Sequence, residues 1–399
     1  MITTLRLVWD RKIFRVILFG LMLLGGLNAS VYPYQSLIGI DRIGLSETMF
    51  SIVLLIASIT LVVTSVLVGL LTDQFGHRRR AALICAGLGA TGLAAMLIHP
   101  GPAAFLLAHG LMIPVNSSLF GQFFALARLA SHDLGPERDG VLSTLRAGLS
   151  FMFVFTMIFW SVVFGMGASV MAIYISAAVT SAGLVALIWR YWPRHGTMDW
   201  PDTPSGINLT AAFIEIAKPR IRWRLACLGC IGAGPTIYMV LVSLVFDASP
   251  LRTTSDVALY VGMIAGWEVP FMLILPSIAG RLKRSTLIAW GSGIYLLHLG
   301  LMPLLAASGL IWALPILAGM GGAAILTLPI AYFQDLVHGR PGTGAALLAL
   351  QKVTSDALAA GAFALGTALA GYQTVAIFGV ILMLTGALGL MAMDRRAVG

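Results

Sequence analysis

The chain has 399 residues, of which 59% are hydrophobic and only 10% charged, and its mean hydropathy is +0.94. A soluble domain carries roughly 25% charged residues, so a soluble enzyme is excluded at once. The net charge of +9 does not point to nucleic acid, because Lys and Arg form short clusters between long apolar runs and build no basic face.

Three Cys give no disulfide framework, and no Cys/His cluster has metal-ligand spacing, so neither a metal nor a cofactor is expected. The composition predicts an all-α polytopic membrane protein whose solvent is the lipid bilayer. A crossing helix needs roughly 20 mostly apolar residues at about 1.5 Å per residue. Twelve runs qualify, at 14–36, 47–71, 81–99, 102–128, 140–165 and 169–191, then 223–246, 256–280, 285–306, 309–334, 342–370 and 373–393. The first run is read as a retained span, since it is too long for a cleaved leader and has no small-residue cleavage site.

Short loops rich in Lys and Arg face the cytoplasm. With a cytoplasmic N terminus, 21 of the 25 basic residues fall inside, Arg42 and Arg252 fall outside, and Arg146 and Lys352 lie within spans. Both termini are therefore expected in the cytoplasm. The longest polar stretch sets the division: residues 1–192 as a first six-helix bundle, 193–222 as a cytoplasmic linker, and 223–399 as a second bundle. Within the linker, Leu209, Phe213 and Ile216 recur at helical spacing and predict a short amphipathic surface helix. The halves also resemble each other. Gly167–Tyr174 opens span six as Gly371–Phe378 opens span twelve, a duplication of the kind found in alternating-access transporters.

Between spans two and three the chain reads Gly69-Leu-Leu-Thr-Asp73-Gln-Phe-Gly76-His-Arg78-Arg79-Arg80. This resembles the signature loop of the major facilitator superfamily, with Gln74 where that family usually has a basic residue. Gly69 and Gly76 suit close helix contact and a tight turn, and Asp73 suits docking at a helix N-terminus. The resemblance implies a gate built from Gly69, Asp73, Gly76, Arg78 and Arg128. Gly121–Arg128 closing span four, Leu145-Arg146-Ala in span five, Ala265–Pro270 in span eight and Phe333–Gly342 after span ten are similar to the bacterial sugar efflux transporter family. That likeness implies two pseudo-symmetric six-helix bundles, export of a sugar or glycoside in exchange for protons, and a multi-pass protein of the bacterial inner membrane acting as a monomer. A drug or metabolite exporter of the same superfamily is the alternative.

A charge at the bilayer centre costs at least ~2.5–3.5 kcal/mol, which makes each one a functional candidate. Four lie well inside spans: Arg146, Glu268, Lys352 and Asp356. Glu268 is the expected proton carrier or substrate acceptor, with a structural ion pair to Lys352 or Arg146 as the alternative. Arg146, Lys352 and Asp356 are proton-coupling candidates beside Glu268, although Lys352 and Asp356 are spaced i, i+4 and could neutralise each other. Sugar hydroxyls call for amides and carboxylates, and the ring's apolar face for aromatics. Asn28, Tyr32 and Gln35 in span one, Asn116 and Gln122 in span four, and Tyr238, Tyr332 and Gln351 in the second half are the candidate substrate contacts alongside Glu268. Each alone could equally be helix–helix glue.

Overall fold

The computed structural model describes residues 2–194, 218–279, 282–336 and 341–396. Twelve helical stretches are long and apolar enough to cross a membrane. Spans one to six are Lys12–Arg42, Glu47–Gly69, Arg78–Ile98, Pro102–Ala130, Gly140–Gly165 and Val170–Tyr191. Spans seven to twelve are Pro219–Asp247, Thr254–Leu275, Arg284–Leu305, Gly309–Phe333, Leu347–Ala370 and Tyr372–Asp394. Each overlies a run expected from hydropathy, and no strand occurs among the described residues. The amphipathic linker helix expected at 208–218 lies outside the described residues, apart from Lys218.

Helices satisfy every backbone donor and acceptor internally, which the hydrocarbon core demands. Their outward faces stay apolar: Ile175, Val179 and Trp189 on span six are all exposed. In water such stripes would aggregate, whereas lipid accepts them.

The suspected repeat has a backbone signature. Gly167, before span six, has φ +87°, and Gly371, before span twelve, has φ +84°. Both stand in the left-handed region that favours glycine, at matching points of the two halves.

The chain divides into two compact units, residues 1–39 with 59–205, and 40–58 with 206–399. The boundary differs from a simple cut at the linker, because the first part of span two groups with the second unit. Within the first unit, span one packs on five and six, and span three packs on four and six. Within the second, span seven packs on eleven and twelve, span nine on ten and twelve, and span eight on ten. The first-half pairings thus recur six spans later, as the repeat read from the sequence implies.

Irregular turns fall where polar candidates cluster. Span one passes from α-helix (Lys12–Val31) through a 3₁₀ turn at Tyr32–Tyr34 to a π turn at Ile38–Arg42. Pro33 supplies no N–H to that region. Span four runs as π-helix over Leu106–Met112 and resumes as α-helix at Ile113–Ser117, around Pro114. Such π segments often mark functional sites. Span eight, by contrast, continues as one helix over Thr254–Ala279, through Pro270.

Candidate functional site

In the second unit, span eight is drawn against span ten by a glycine run. A Cβ on Gly319 would sit 2.5 Å from Cβ of Trp267, and one on Gly322 would sit 2.8 Å from Oε1 of Glu268. Gly321 faces span nine, where a Cβ would meet the Gly291 carbonyl oxygen at 2.5 Å and the Tyr295 backbone nitrogen at 2.8 Å. The three glycines therefore seat Glu268 and Tyr295 on the same short stretch of span ten. Among the described residues Glu268 makes no hydrogen bond and no ion pair, so the alternative reading of a structural ion pair finds no partner there. Trp267, next to it, is partly exposed and tilts against Phe271 at 6.2 Å between ring centres.

Asp356 has the opposite character. Its carboxylate accepts from Ser58 Oγ at 2.6 Å and from Thr236 Oγ1 at 3.0 Å, and it pairs with the Lys352 ammonium. Asp356 is buried, whereas the Lys352 side chain is 52% exposed. Both carboxylate oxygens are committed, as in a structural pair. Gln351, half-buried beside them, donates from Nε2 to the Leu228 carbonyl at 3.3 Å. Tyr332 is tied into another network near the basic end of the unit. Its hydroxyl donates to Asp394 at 3.1 Å and accepts from Arg224 Nε at 3.0 Å, while Arg224 Nη2 reaches Asp394 at 2.7 Å. Tyr238 is buried and packs edge-on against His298, with ring centres 5.1 Å apart.

The first unit holds the carboxamides. Asn116 is 1% exposed, and among the described residues neither its Oδ1 nor its Nδ2 has a partner. Its backbone comes close to span three, since a Cβ on Gly89 would lie 2.5 Å from Asn116 Cβ. Asn28 Oδ1 and Gln122 Oε1 are likewise buried and unpaired. Buried polar atoms in native proteins nearly always find a partner, so three such amides in one bundle suit a hydroxyl-bearing ligand or water. Tyr32 instead shares a 2.8 Å hydrogen bond with Ser117 Oγ, and Gln35 is half-buried just after the 3₁₀ turn. Arg146 is exposed on span five and forms no ion pair among the described residues.

In the basic loop, Gly76 has φ +65° and so makes the expected tight turn. Arg78 is buried there, donating from Nη1 to Thr72 Oγ1 at 3.3 Å. No described atom lies within 4 Å of where a Gly69 Cβ would be. Asp73 lies on the last turns of the helix Glu47–Phe75; its side chain is outside the described set. Arg128 is exposed in the last turn of span four.

Sequence reasoning set the histidines aside as scattered, yet His109 and His298 are both buried inside their units. It also missed Ser58 and Thr236 as partners of Asp356. Hydroxyls that bond to a distant carboxylate carry no local pattern, but an isolated His within an apolar run was a readable signal.

The architecture and the mid-span carboxylate are those of a membrane transporter. The family description "Major Facilitator Superfamily" matches residues 17–352, and the chain belongs to that superfamily. It is 26% identical over 366 residues to a Deinococcus radiodurans protein whose name places it among sugar efflux transporters, covering 86% of this chain and 89% of that one. It is 28% identical over 300 residues to Sugar efflux transporter A of Dickeya chrysanthemi, covering 72% and 71%. Among solved structures, the nucleoside transporter NupG superposes with a TM-score of 0.81 at 16% identity, covering 96% of this chain and all of that one. A peptide transporter bound to alafosfalin gives 0.76 at 13% identity, covering 96% and 94%. At those identities the likeness concerns the fold.

Proposed function

We propose that the protein exports sugars or glycosides across the bacterial inner membrane in exchange for protons, as a monomer with both termini in the cytoplasm. The observation that carries this reading is Glu268, a mid-span carboxyl that no described residue pairs, beside the indole of Trp267. The sugar class is suggested by the names of the two bacterial relatives. It also suits the buried amides Asn28, Asn116 and Gln122, whose donors and acceptors match hydroxyl groups.

Glu268 gives the exchange its logic. Ionised, it accepts hydrogen bonds from substrate hydroxyls presented from the cytoplasm. Protonated from the opposite side, it loses that acceptor strength, and the substrate leaves. The neutral carboxyl then returns at lower desolvation cost and gives up its proton inside. Asp73, Arg78 and Arg128 hold the cytoplasmic gate, and the Lys352–Asp356 pair braces span eleven.

The test is purified protein in liposomes with an internal pH dye, challenged with glucose, lactose and methyl β-glucoside, and with lipophilic cations for comparison. The expected result is proton movement evoked by a saccharide and lost in Glu268→Gln, with saccharide counterflow retained. Proton movement evoked only by lipophilic cations would replace the sugar reading with drug export. Saccharide flux with no proton signal would make the protein a facilitator.

A further inference from the structure

Within the second unit, His298 is fully buried, and neither Nδ1 nor Nε2 has a hydrogen-bond partner among the described residues. Three tyrosines cage it. Tyr238 and Tyr295 approach edge-on at 5.1 and 5.2 Å, and Tyr260 stacks at 6.0 Å. The hydroxyl of Tyr260 is also buried without a partner. An imidazole with two open nitrogens is an unusual core residue: a hydrocarbon side chain of its size would pack there without the unsatisfied atoms.

The cage lies between Glu268 and the end of the unit opposite the basic loops. Counting at about 1.5 Å per residue, His298 is roughly 10 Å from the end of span nine at Leu305, whereas Glu268 is about 21 Å from the start of span eight at Thr254. Tyr295 spans the gap. The point where a Gly322 Cβ would sit is 2.8 Å from Glu268 Oε1 and 3.6 Å from ring carbon Cε2 of Tyr295. Tyr295 interacts electrostatically with both Glu268 and Tyr260.

On the other side of the cage a surface cleft is lined by Val245, Ser249, Pro303 and Tyr372. Ser249 Oγ is buried without a partner, and Phe246, beside Val245, packs on Tyr260 at 5.1 Å. Asp41, Glu47 and Asp247 all act electrostatically on Tyr372 in the cleft, so its mouth is acidic. The other charges at that end are Arg42, which acts on Asp41, Asp256, which accepts from the Thr253 backbone N–H, and Arg252, which lies over Trp312 at 5.4 Å and donates to the Ala306 carbonyl, with Trp312 in turn 6.2 Å from Tyr260. Spans ten and twelve carry titratable groups only near their ends, at Tyr332 and Asp335 and at Tyr372 and Asp394.

We propose that the His298 cage is a proton relay linking the acidic cleft to Glu268. One ring nitrogen takes a proton from the cleft side, and the other gives its proton to Tyr295. The Tyr295 hydroxyl passes its own proton to the ionised Glu268 carboxylate, and exchange of the imidazole tautomer resets the site. One proton moves per step and no group stays charged except the acceptor it neutralises. The relay rests on the coupling role given to Glu268 above.

The experiment follows protonation of Glu268 directly, by infrared spectroscopy of the full chain in liposomes after an external pH drop. The carboxylic-acid band is assigned by its loss in Glu268→Gln. The relay predicts that His298→Phe and Tyr295→Phe each slow the rise of that band at least tenfold, whereas His109→Phe leaves it unchanged. If His298→Phe does not fold, His298→Gln carries the same expectation of slowing. Equal rates in wild type and the cage variants would overturn the relay. Absence of a Glu268 band would overturn the relay and the coupling reading together. A band with intact kinetics in all variants but saccharide-evoked proton movement in wild type would overturn the relay alone. Slowed band kinetics without any substrate-evoked proton movement would support the relay and overturn coupling.

Discussion

His109 in the first unit and His298 in the second are both buried imidazoles, but their surroundings differ. His109 Nε2 shares a 2.8 Å hydrogen bond with the Tyr174 hydroxyl, and its ring stacks on Phe105 at 4.1 Å. His298 has three tyrosines around its ring, and none of them hydrogen-bonds to either nitrogen. A paired polar group contributes to stability, whereas an orphaned one costs about 1–3 kcal/mol. The first arrangement is how a bundle keeps a histidine for structure. The second retains one at a cost, and lies in the same unit as the unpaired Glu268. The same contrast between a paired and an unpaired group separates Asp356 from Glu268.

The largest expected effect tests the Asp356–Glu268 contrast in transport. Glu268→Gln should reduce saccharide-evoked proton flux by about 100-fold, the range general acid–base groups command, while counterflow persists. Asp356→Asn should leave substantial coupled flux in the protein that folds. A reversal, with Asp356 indispensable for coupling and Glu268 dispensable, would show that the paired carboxylate is the carrier. Next comes packing. Gly321→Ala drives a methyl group to 2.5 Å from the Gly291 carbonyl oxygen, and overpacking of this kind costs roughly 1–3 kcal/mol. Its melting temperature in detergent should drop clearly, whereas Gly69→Ala, which meets open space, should melt at or slightly above wild type.

Legibility followed the same division. The twelve spans could be read because hydropathy over about 20 residues is a strong, local signal. Gly167 and Gly371 could be matched because their flanking residues repeat, and the structure gives both a positive φ. The Lys352–Asp356 pair was visible as an i, i+4 spacing. Its other partners, Ser58 and Thr236, were not, since they come from distant parts of the chain. Tyr332 and Tyr238 looked alike as tyrosines in spans; only packing shows that one joins Arg224 and Asp394 and the other a histidine cage. The first part of span two could not have been assigned to the second unit from the sequence, because grouping by contact is a tertiary property.

A smaller effect sharpens the histidine comparison itself. His109→Phe removes the partner of the buried Tyr174 hydroxyl, and leaving it orphaned should cost about 1–2 kcal/mol. His298→Phe breaks no hydrogen bond and removes two unsatisfied atoms, so its melting temperature should equal or exceed that of wild type. Equal destabilisation of the two variants would mean that His298 is as structural as His109.

The smallest effect lies outside the spans, where ordinary surface electrostatics applies. Arg11 grips the exposed Asp133 through bonds of 2.9 and 2.7 Å, and this holds the Asp133 carboxyl below its usual range. A carboxylate with a depressed folded-state pKa contributes stability above its unfolded value of about 3.9, and loses it as pH falls through the folded value. Both side chains are well exposed, so water and salt screen the pair. Asp133→Asn should therefore melt slightly below wild type at neutral pH and low salt. The two should converge as the pH falls through the lowered folded-state value or when roughly 1 M salt is added. A difference that survives both treatments would mean that Asp133 acts by shape and hydrogen bonding rather than by charge. The Arg11–Asp133 pair would then belong with the buried networks of Asp356 and Asp394 rather than with the screened surface.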